Sequence, residues 1–313
     1  MKNFLKRISV FSITFSLVLV AVTLALFAYV NHKASFKLDS KIKYVVFGHS
    51  HPECAINDSL VTSVKNYASS SENFFYTFTK IERLLAQNPS VDTILVAFSN
   101  NHLSKNSDET IDDDNALLNK FAPLAPVAGF EHHRYLFAHN SAGYLQAISL
   151  SYRSQLRQIA LSDFNYLQFG GYKSLDRILP DSIIRNGVKG DLDKYSSKAY
   201  ASETLERLKQ IVAYCKAQNK TIILIRSPQH AKFYGRTNEE DFQHVRMQHF
   251  SDLEYLDFND FPLSDSEFSD LSHLNTKGAT KFSIWLNNMI DGGLMQVPNK
   301  SEVIESEIAK ISL

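Results

Sequence analysis

The stretch "KYVVFGHSHPECAIND", residues 43–58, decides the fold class. It begins with a short run of β-branched and aromatic residues that ends at Gly48, a pattern typical of a buried strand. Two histidines around Ser50, a proline and an acid follow directly. The segment therefore predicts a buried strand whose end carries chemically useful side chains.

Similar apolar runs alternate with amphipathic segments along the chain. The predicted strands are residues 43–48, 63–67, 92–99, 221–228 and 253–258, and the predicted helices are 72–89, 202–220 and 275–290. Continuous apolar strands between amphipathic helices indicate a parallel sheet that is covered on both faces. We therefore expect a three-layer α/β/α fold with a doubly wound, mostly parallel, five-stranded sheet of the flavodoxin-like kind. Functional groups should gather at the carboxyl ends of its strands.

An uncharged run, Ile8–Val30, lies near the N-terminus. As a helix it is about 35 Å long, enough to cross a hydrocarbon core of about 30 Å. Signal peptides have shorter apolar regions followed by small residues, and no clean site of that kind follows here. We expect an uncleaved anchor with Lys2, Lys6 and Arg7 in the cytoplasm. This predicts a single-pass protein of the bacterial inner membrane with its globular part in the periplasm or another extracytoplasmic space.

The chain divides into four predicted parts. Residues 1–33 form the cytoplasmic tip and anchor, 34–42 a polar linker, 43–293 the α/β domain and 294–313 a C-terminal tail. Residues about 102–198 break the alternation and are too long for a plain connection. They predict a helical insertion near the mouth of the site, which is a lid, a substrate platform or a decorative subdomain.

The composition excludes some partners. The chain has 33 basic and 33 acidic residues, without a basic stripe that carries interleaved aromatic residues. Nothing therefore indicates a nucleic-acid partner, and the sequence names no protein partner. Cys54 follows the first strand and Cys215 lies in a helical pattern, so nothing pairs them in a disulfide. We expect no cofactor and no metal.

Three strand ends carry candidate catalytic groups. Asp270 and His273 are three residues apart, which places them on the same side of a turn. A nucleophilic serine needs a base and a group that orients the imidazole, and an Asp-x-x-His pair supplies both. Ser50 follows the first strand, and the amide of Asn100, after the third, could donate to an oxyanion. Each group taken alone is more often structural, so their shared location at the strand ends makes the case.

The segments around Ser50, Asn100 and the Asp270–His273 pair, in this order along the chain, resemble the conserved blocks of a known superfamily. This is the SGNH hydrolase superfamily of GDSL-type lipases, esterases and acetylesterases. The likeness is to its membrane-anchored bacterial branch, which acts on cell-envelope glycans. "VVFGHSHPECAIND" is similar to the first block, usually G-D-S, and "AFSNN" to the third, usually G-x-N-D. "DLSHLNTKGATKFS" resembles the last block, D-x-x-H. The resemblance covers most of residues 43–290 outside the insertion.

The resemblance implies a role for each matching residue. Ser50 would be the nucleophile, His273 its base and Asp270 the group that orients the imidazole. Asn100 and the backbone N–H groups of Ser50 and Ser70 would form the oxyanion hole. The implied function is a serine esterase or O-acyltransferase that acts on an acyl ester, with an acylated cell-envelope glycan as the expected substrate.

The chain also departs from the pattern. His49 stands where aspartate is usual, and Phe98 and Asn101 replace the usual glycine and aspartate of the third block. The second block, "NYASSSEN", lacks its glycine, so Ser70 or Ser71 would supply the N–H. These departures leave open a second reading, an inactive SGNH-like envelope protein with a binding or assembly role.

A metal-dependent hydrolase is a further alternative. Gly-His-Ser-His also occurs in metallophosphoesterases, but there it follows other metal motifs, whereas here only the anchor and linker precede it. In an extended segment, His49 and His51 would point to opposite sides. The side chains weighed as possible metal ligands are His49, His51, Cys54, His102, His230 and His273. The accessory candidates of the esterase site are His49, His51, Asn101 and His230.

Overall fold

The computed structural model describes residues 1–104, 106–186 and 201–311. Its strands are Tyr44–Phe47 (β1), Val64–Asn66 (β2), Thr93–Ala97 (β3), Thr221–Arg226 (β4) and Glu254–Asp257 (β5). They form one sheet in the order β2-β1-β3-β4-β5, and every neighbouring pair is parallel. This is the flavodoxin-like doubly wound order, and the predicted three-layer α/β/α fold is confirmed.

Helices cover both faces of the sheet. The longer ones are Lys2–Lys33 (α1), Ser50–Ala55 (α2), Phe74–Gln87 (α3), Phe130–His139 (α4), Ser141–Leu161 (α5), Asp181–Asn186 (α6), Ser202–Ala217 (α7), Glu239–Phe250 (α8), Thr276–Asp291 (α9) and Lys300–Ile311 (α10). Shorter helical turns are Asn100–Leu103, Asn106–Glu109, Asp114–Ala116, Leu117–Phe121, Ala122–Leu124, Tyr166–Phe169, Tyr234–Asn238, Asp265–Glu267 and Leu294–Gln296.

The apolar runs of the strands are continuous because both sheet faces are buried. In β1, Val45 and Phe47 belong to the core under α3 and α7, whereas Val46 belongs to the opposite core under α9. Successive strand residues point to opposite faces, so a covered sheet needs an apolar residue at each position. All of β3, at the centre of the sheet, is buried for the same reason.

Asparagine caps begin the two helices nearest the site. The Asn73 side chain accepts hydrogen bonds from the first backbone N–H groups of α3, and Asn275 does the same for α9. These are the donors that a helix start leaves without intrahelical partners. Asn275 also donates to the backbone oxygens of Ser266 and Phe268. The cap therefore ties α9 to the loop that carries Asp270 and His273.

Residues 34–42, predicted as a polar linker, pack against the body of the fold. Phe36 is fully buried, with its ring 5.2 Å from that of Tyr166. The backbone N–H of Phe36 donates to Gln87 Oε1 at 2.8 Å, and that of Leu38 donates to Asn88 Oδ1 at 2.8 Å. The segment packs against the end of α3 because its few apolar residues are buried in the core at that point.

The predicted tail is also packed. Ile304 of α10 is fully buried, and Ser301 Oγ donates to the backbone oxygen of Tyr255 at 2.7 Å. The helix thereby covers β5, the edge of the sheet, where an open strand would otherwise expose unpaired groups. Of the predicted insertion, residues 105 and 187–198 lie outside the described residues.

α1 stands out from the body of the fold. Within the ranges described above, α1 is the one helix that is both long enough and apolar enough to cross a membrane. A signal sequence would also pass this test. Most of its side chains are exposed, but Val30 near its end is fully buried. Such a helix is compatible with a single-pass anchor.

Candidate active site

A tight turn after β1 presents Ser50. Gly48 has a φ of +145°, and a Cβ at this position would lie 2.5 Å from the Cβ of Ala97 in β3. Only glycine therefore fits between the two strands at this turn. Ser50 is the first residue of α2 and is half-buried. The turn lies beside β1 and β3, where the strand order reverses, which is the usual ligand position in doubly wound sheets.

Ser50, His273 and Asp270 form one chain of hydrogen bonds. Ser50 Oγ lies 2.7 Å from His273 Nε2, and His273 Nδ1 lies 2.8 Å from Asp270 Oδ1. The backbone N–H of His273 also donates to Asp270 Oδ1 at 3.0 Å. Ser50 and His273 are 223 residues apart in sequence. The structure thus brings the three predicted residues together in the geometry of a nucleophile, a base and an orienting carboxylate.

Asp270 is held as an anion. Ser272 donates to Asp270 Oδ1 through its backbone N–H at 3.0 Å and its Oγ at 2.9 Å, and Arg177 pairs with Asp270 Oδ2. Burial alone would raise the pKa of the carboxyl, but the hydrogen bond and charge of His273, with the Ser272 donors, hold its pKa far below the usual range. An ionised Asp270 is what a stable imidazolium needs. Sequence reasoning missed Arg177, because no local motif joins it to Asp270.

His49, the unusual neighbour of Ser50, caps α2. Its Nδ1 accepts a hydrogen bond from the backbone N–H of His51 at 3.1 Å. An aspartate at this position could accept the same bond, so the imidazole takes over the capping role. Burial lowers the pKa of His49 far below its usual value, and the nearby His51, His102 and His273 lower it further.

His49 and His51 lie on the same side, so the expectation that they point apart is wrong. Residues two apart share a side even in an extended segment, and with the helix start at Ser50 the two ring centroids lie 4.3 Å apart. The His102 ring lies 4.6 Å from His49, and the His273 ring 5.3 Å from His51. Burial lowers the pKa values of His51 and His102, the latter to about 4. His49, His51 and His102 are therefore neutral imidazoles packed beside the nucleophile.

The structure does not bring Asn100 into the site. Asn100 is fully buried, donates from Nδ2 to Glu239 Oε2 at 2.9 Å and accepts from Arg226 at 2.9 Å. Its amide is thus engaged by an ionic network at the end of β4. The adjacent Asn101 faces the cleft beside Ser50, and its amide lies 3.3 Å from His49 Nε2. Because the two asparagines are adjacent, the sequence alone does not show which of them lies in the site.

The loop after β2 approaches the turn at Gly48. The backbone N–H of Ser69 donates to the oxygen of Gly48 at 2.9 Å. Ser71 has a left-handed φ of +57°, and Ser70 Oγ donates to Glu53. Across residues 1–104, 106–186 and 201–311, no hydrogen bond is made by the backbone N–H groups of Ser70 and Ser71. Both groups remain available as donors.

A buried ion pair supports this loop. Lys80 of α3 pairs with Glu72, and the side chains of both are 1% exposed. Lys80 Nζ also donates to the backbone oxygen of Phe169 at 2.8 Å, and Thr77 donates to Glu72 at 3.0 Å. Burial raises the pKa of Glu72, although the Lys80 ammonium opposes that rise. The pair connects α3, the loop and the segment at Phe169.

A cleft of about 780 Å³ opens over Ser50. Its walls come from the turn after β1, the loop after β2, the turn after β3 and the short helices at the start of the predicted insertion. Polar residues on the insertion side include Ser107, Thr110, Asn115, Asn119 and Lys120. A second cavity of about 340 Å³ adjoins it and shares Glu72, Asn119 and Lys120. The cleft can hold a ligand rich in hydroxyl groups.

His230 lies behind the loop of the Asp-x-x-His pair. Its Nε2 lies 3.0 Å from Asp265 Oδ1, and its backbone N–H donates to the oxygen of Leu271 at 3.1 Å. Cys54 and Cys215 are buried free thiols, whose pKa values burial raises to about 12. In the part of the chain that the structure describes, no three His, Cys, Asp or Glu side chains are grouped as metal ligands.

Comparisons with known proteins add little. A family model without a description matches residues 185–295, and no curated protein matches the chain. Among solved structures, a "putative platelet activating factor" from Streptococcus pneumonia has 11% identity and a TM-score of 0.42, covering 91% of this chain and 98% of its own. A "putative acylhydrolase" from Bacteroides fragilis has 11% identity and a TM-score of 0.35, covering 85% of this chain and 95% of its own. Neither likeness carries an inference about activity.

Proposed function

We propose that the protein is a serine esterase or O-acyltransferase of the SGNH kind, with Ser50 as its nucleophile. The continuous chain of hydrogen bonds from Ser50 through His273 to Asp270 carries this proposal. An inactive binding protein has no need for a serine 2.7 Å from an imidazole that a half-buried carboxylate orients. The polar cleft over Ser50 gives a substrate access to the nucleophile.

The chemistry follows from the positions of the three groups. His273 Nε2 takes the proton of Ser50 Oγ while this oxygen attacks the carbonyl carbon of an acyl ester. The imidazolium then gives that proton to the departing alcohol, and an acyl-enzyme remains on Ser50. Water completes hydrolysis, or a sugar hydroxyl accepts the acyl group. Asp270 keeps the ring in the productive tautomer and stabilises its charge.

Backbone donors and Asn101 stabilise the tetrahedral oxyanion in this proposal. Ser50 begins α2, and Ser70 and Ser71 line the same cleft, so we assign their backbone N–H groups as the donors. Fixed donors of this kind contribute most when charge develops on the carbonyl oxygen. Asn101 takes the role that the sequence assigned to Asn100, because the Asn100 amide is engaged elsewhere.

The expected substrate is an acylated cell-envelope glycan. Serine, threonine and asparagine side chains along the cleft match the hydroxyl groups of a sugar. In this proposal α1 anchors the protein in the bacterial inner membrane, with the domain of residues 43–293 on its extracytoplasmic side. An enzyme fixed there meets envelope polymers rather than soluble esters of the cytoplasm.

Hydrolysis of p-nitrophenyl acetate tests the proposal. The Ser50→Ala variant should lose at least about 10³-fold in kcat, since the nucleophile is removed. Ser59→Ala is the matched control, because Ser59 is exposed and lies outside the residues that line the cleft. Equal activity in the two variants would remove Ser50 as the nucleophile. No activity of the wild type towards any acyl ester would favour the alternative function, an inactive protein with a binding or assembly role.

A further inference from the structure

Of the six large apolar side chains that α4 and α5 expose, four lie on the sides of these helices that contact α1. We call them the anchor-side face: Phe130 is 75% exposed, Phe137 51%, Leu145 59% and Leu156 60%. Single exposed apolar residues are ordinary on protein surfaces. Several large ones grouped on two neighbouring helices mark a surface that contacts something apolar.

On α4, the exposed aromatic residues share a face with the contact to α1. The ring of His133 lies 5.9 Å from that of Phe27 in α1. Phe130 and Phe137 come three residues before and four residues after His133, so all three lie on one side of the helix. The apolar surface of α1 therefore continues onto α4.

α5 repeats this arrangement independently. The hydroxyl groups of Tyr152 and Thr23 form a hydrogen bond between α5 and α1. Leu145 and Leu156 come seven residues before and four residues after Tyr152, again on the side that contacts α1. Two helices thus present exposed apolar side chains next to the same segment of α1.

That segment lies where α1 leaves the membrane in the proposed topology. Thr23 and Phe27 belong to the last eight residues of the uncharged run Ile8–Val30. A hydrocarbon core of about 30 Å takes up about 20 helical residues, so this run leaves the core within its last turns. The side chains flanking these contacts therefore lie at the level of the acyl chains and headgroups.

The charge of α5 agrees with this location. The helix has two exposed arginines, Arg153 and Arg157, and no acidic residue between Ser141 and Leu161. Helices that lie in a membrane interface combine exposed apolar side chains with lysine or arginine, which extend to anionic headgroups. A second protein surface would not require this combination.

We propose that α4 and α5 dock onto an anionic bilayer through the anchor-side face, forming a second membrane contact besides α1. The inference rests on the proposed anchor and is independent of catalysis. α5 packs against the short helix Leu117–Phe121, which contributes Asn119 and Lys120 to the cleft. Docking therefore holds the cleft at the membrane surface, and the esters that reach it are those carried at or near the bilayer.

Site-specific fluorescence on the full-length chain in nanodiscs tests this contact. Leu156→Cys and Phe137→Cys each introduce one exposed thiol, because Cys54 and Cys215 are buried. An NBD label is attached in nanodiscs of phosphatidylcholine and phosphatidylglycerol, with or without doxyl-labelled lipid. Ile284→Cys on α9 is the matched control, an exposed apolar position with 48% exposure.

We expect doxyl lipid to reduce emission at positions 156 and 137 by at least about twofold, with little change at 284. Replacing Arg153 and Arg157 by glutamine in the Leu156→Cys chain should remove the dependence of this quenching on the phosphatidylglycerol content of the nanodisc. Equal quenching at 156 and 284 would overturn the proposal. Protection from aqueous iodide without quenching by lipid would also overturn it, since a second copy or another protein would then cover the face.

Discussion

Arg177 is a positioning residue for the carboxylate of the site. It pairs with Asp270 Oδ2, and its Nε donates to Ser269 Oγ at 2.7 Å. Its side chain is 65% exposed, so its contribution to stability is small. We expect Arg177→Ala to lower kcat about three- to tenfold with little change in KM, because the imidazole is less well oriented.

Arg177→Lys is the matched control for that change. A lysine retains the charge but cannot contact Asp270 and Ser269 together through a planar guanidinium, so we expect only partial recovery of kcat. Steady-state kinetics measure the effect. A rise in KM with unchanged kcat would place Arg177 in substrate binding instead.

The two adjacent asparagines should respond in opposite ways. Asn101→Ala should lower kcat about 10²-fold with little change in melting temperature, since it removes an oxyanion donor from the cleft. Asn100→Ala should lower the free energy of unfolding by about 2 kcal/mol, because Arg226 and Glu239 lose a buried partner. Ester hydrolysis and thermal unfolding of both variants measure this. If Asn100→Ala loses activity at unchanged stability, the sequence-based assignment was right.

At the scale of elements, α3 supports the loop of the proposed oxyanion donors Ser70 and Ser71 through the ion pair of Lys80 with Glu72. Lys80→Met leaves Glu72 buried without its cation, which costs about 3–5 kcal/mol, or makes Glu72 take up a proton. We expect a lower melting temperature and slower acylation of Ser50, because the loop at Ser70 loses its support. The double variant with Glu72→Gln should recover stability but not the rate. Recovery of both, measured by calorimetry and acylation kinetics, would contradict a positioning role.

The strands and the Asp-x-x-His pair could be predicted because their signals are local. Apolar runs such as residues 44–47 need no partner to be recognised, and three-residue spacing places Asp270 beside His273. The choice between Asn100 and Asn101 depends on Arg226, which lies in a strand distant in sequence and donates a hydrogen bond to Asn100. The contact of Arg177 with Asp270 also joins segments far apart in sequence. Neither this contact nor the choice between the two asparagines could therefore be derived from spacing.

At the scale of the whole molecule, buried histidines set the acid stability. The buried histidines with lowered pKa values are His49, His51, His102 and His132, and burial is the main cause in each. For His102 and His132 the pKa falls to about 4. Unfolded histidines bind protons near pH 6.5, but these folded ones do not, so unfolding takes up protons and stability falls as the pH falls from about 6.5 to 4.

His102 alone should cost about 3 kcal/mol at pH 4. We therefore expect the melting temperature to fall steeply between pH 6.5 and 4, as measured by scanning calorimetry. His132 packs against Phe75, outside the residues that line the cleft. His132→Leu should make this dependence less steep without loss of activity at pH 7. A melting temperature that stays constant over this range would contradict the account.

The central claim is that His273 activates Ser50. Its most direct test is treatment of the full-length protein with a fluorophosphonate probe, followed by tandem mass spectrometry of the labelled peptide. The account predicts one adduct, on Ser50, which is absent in His273→Ala and retained in Ser59→Ala. An adduct on another serine, or equal labelling of Ser50 in the wild type and His273→Ala, would contradict it.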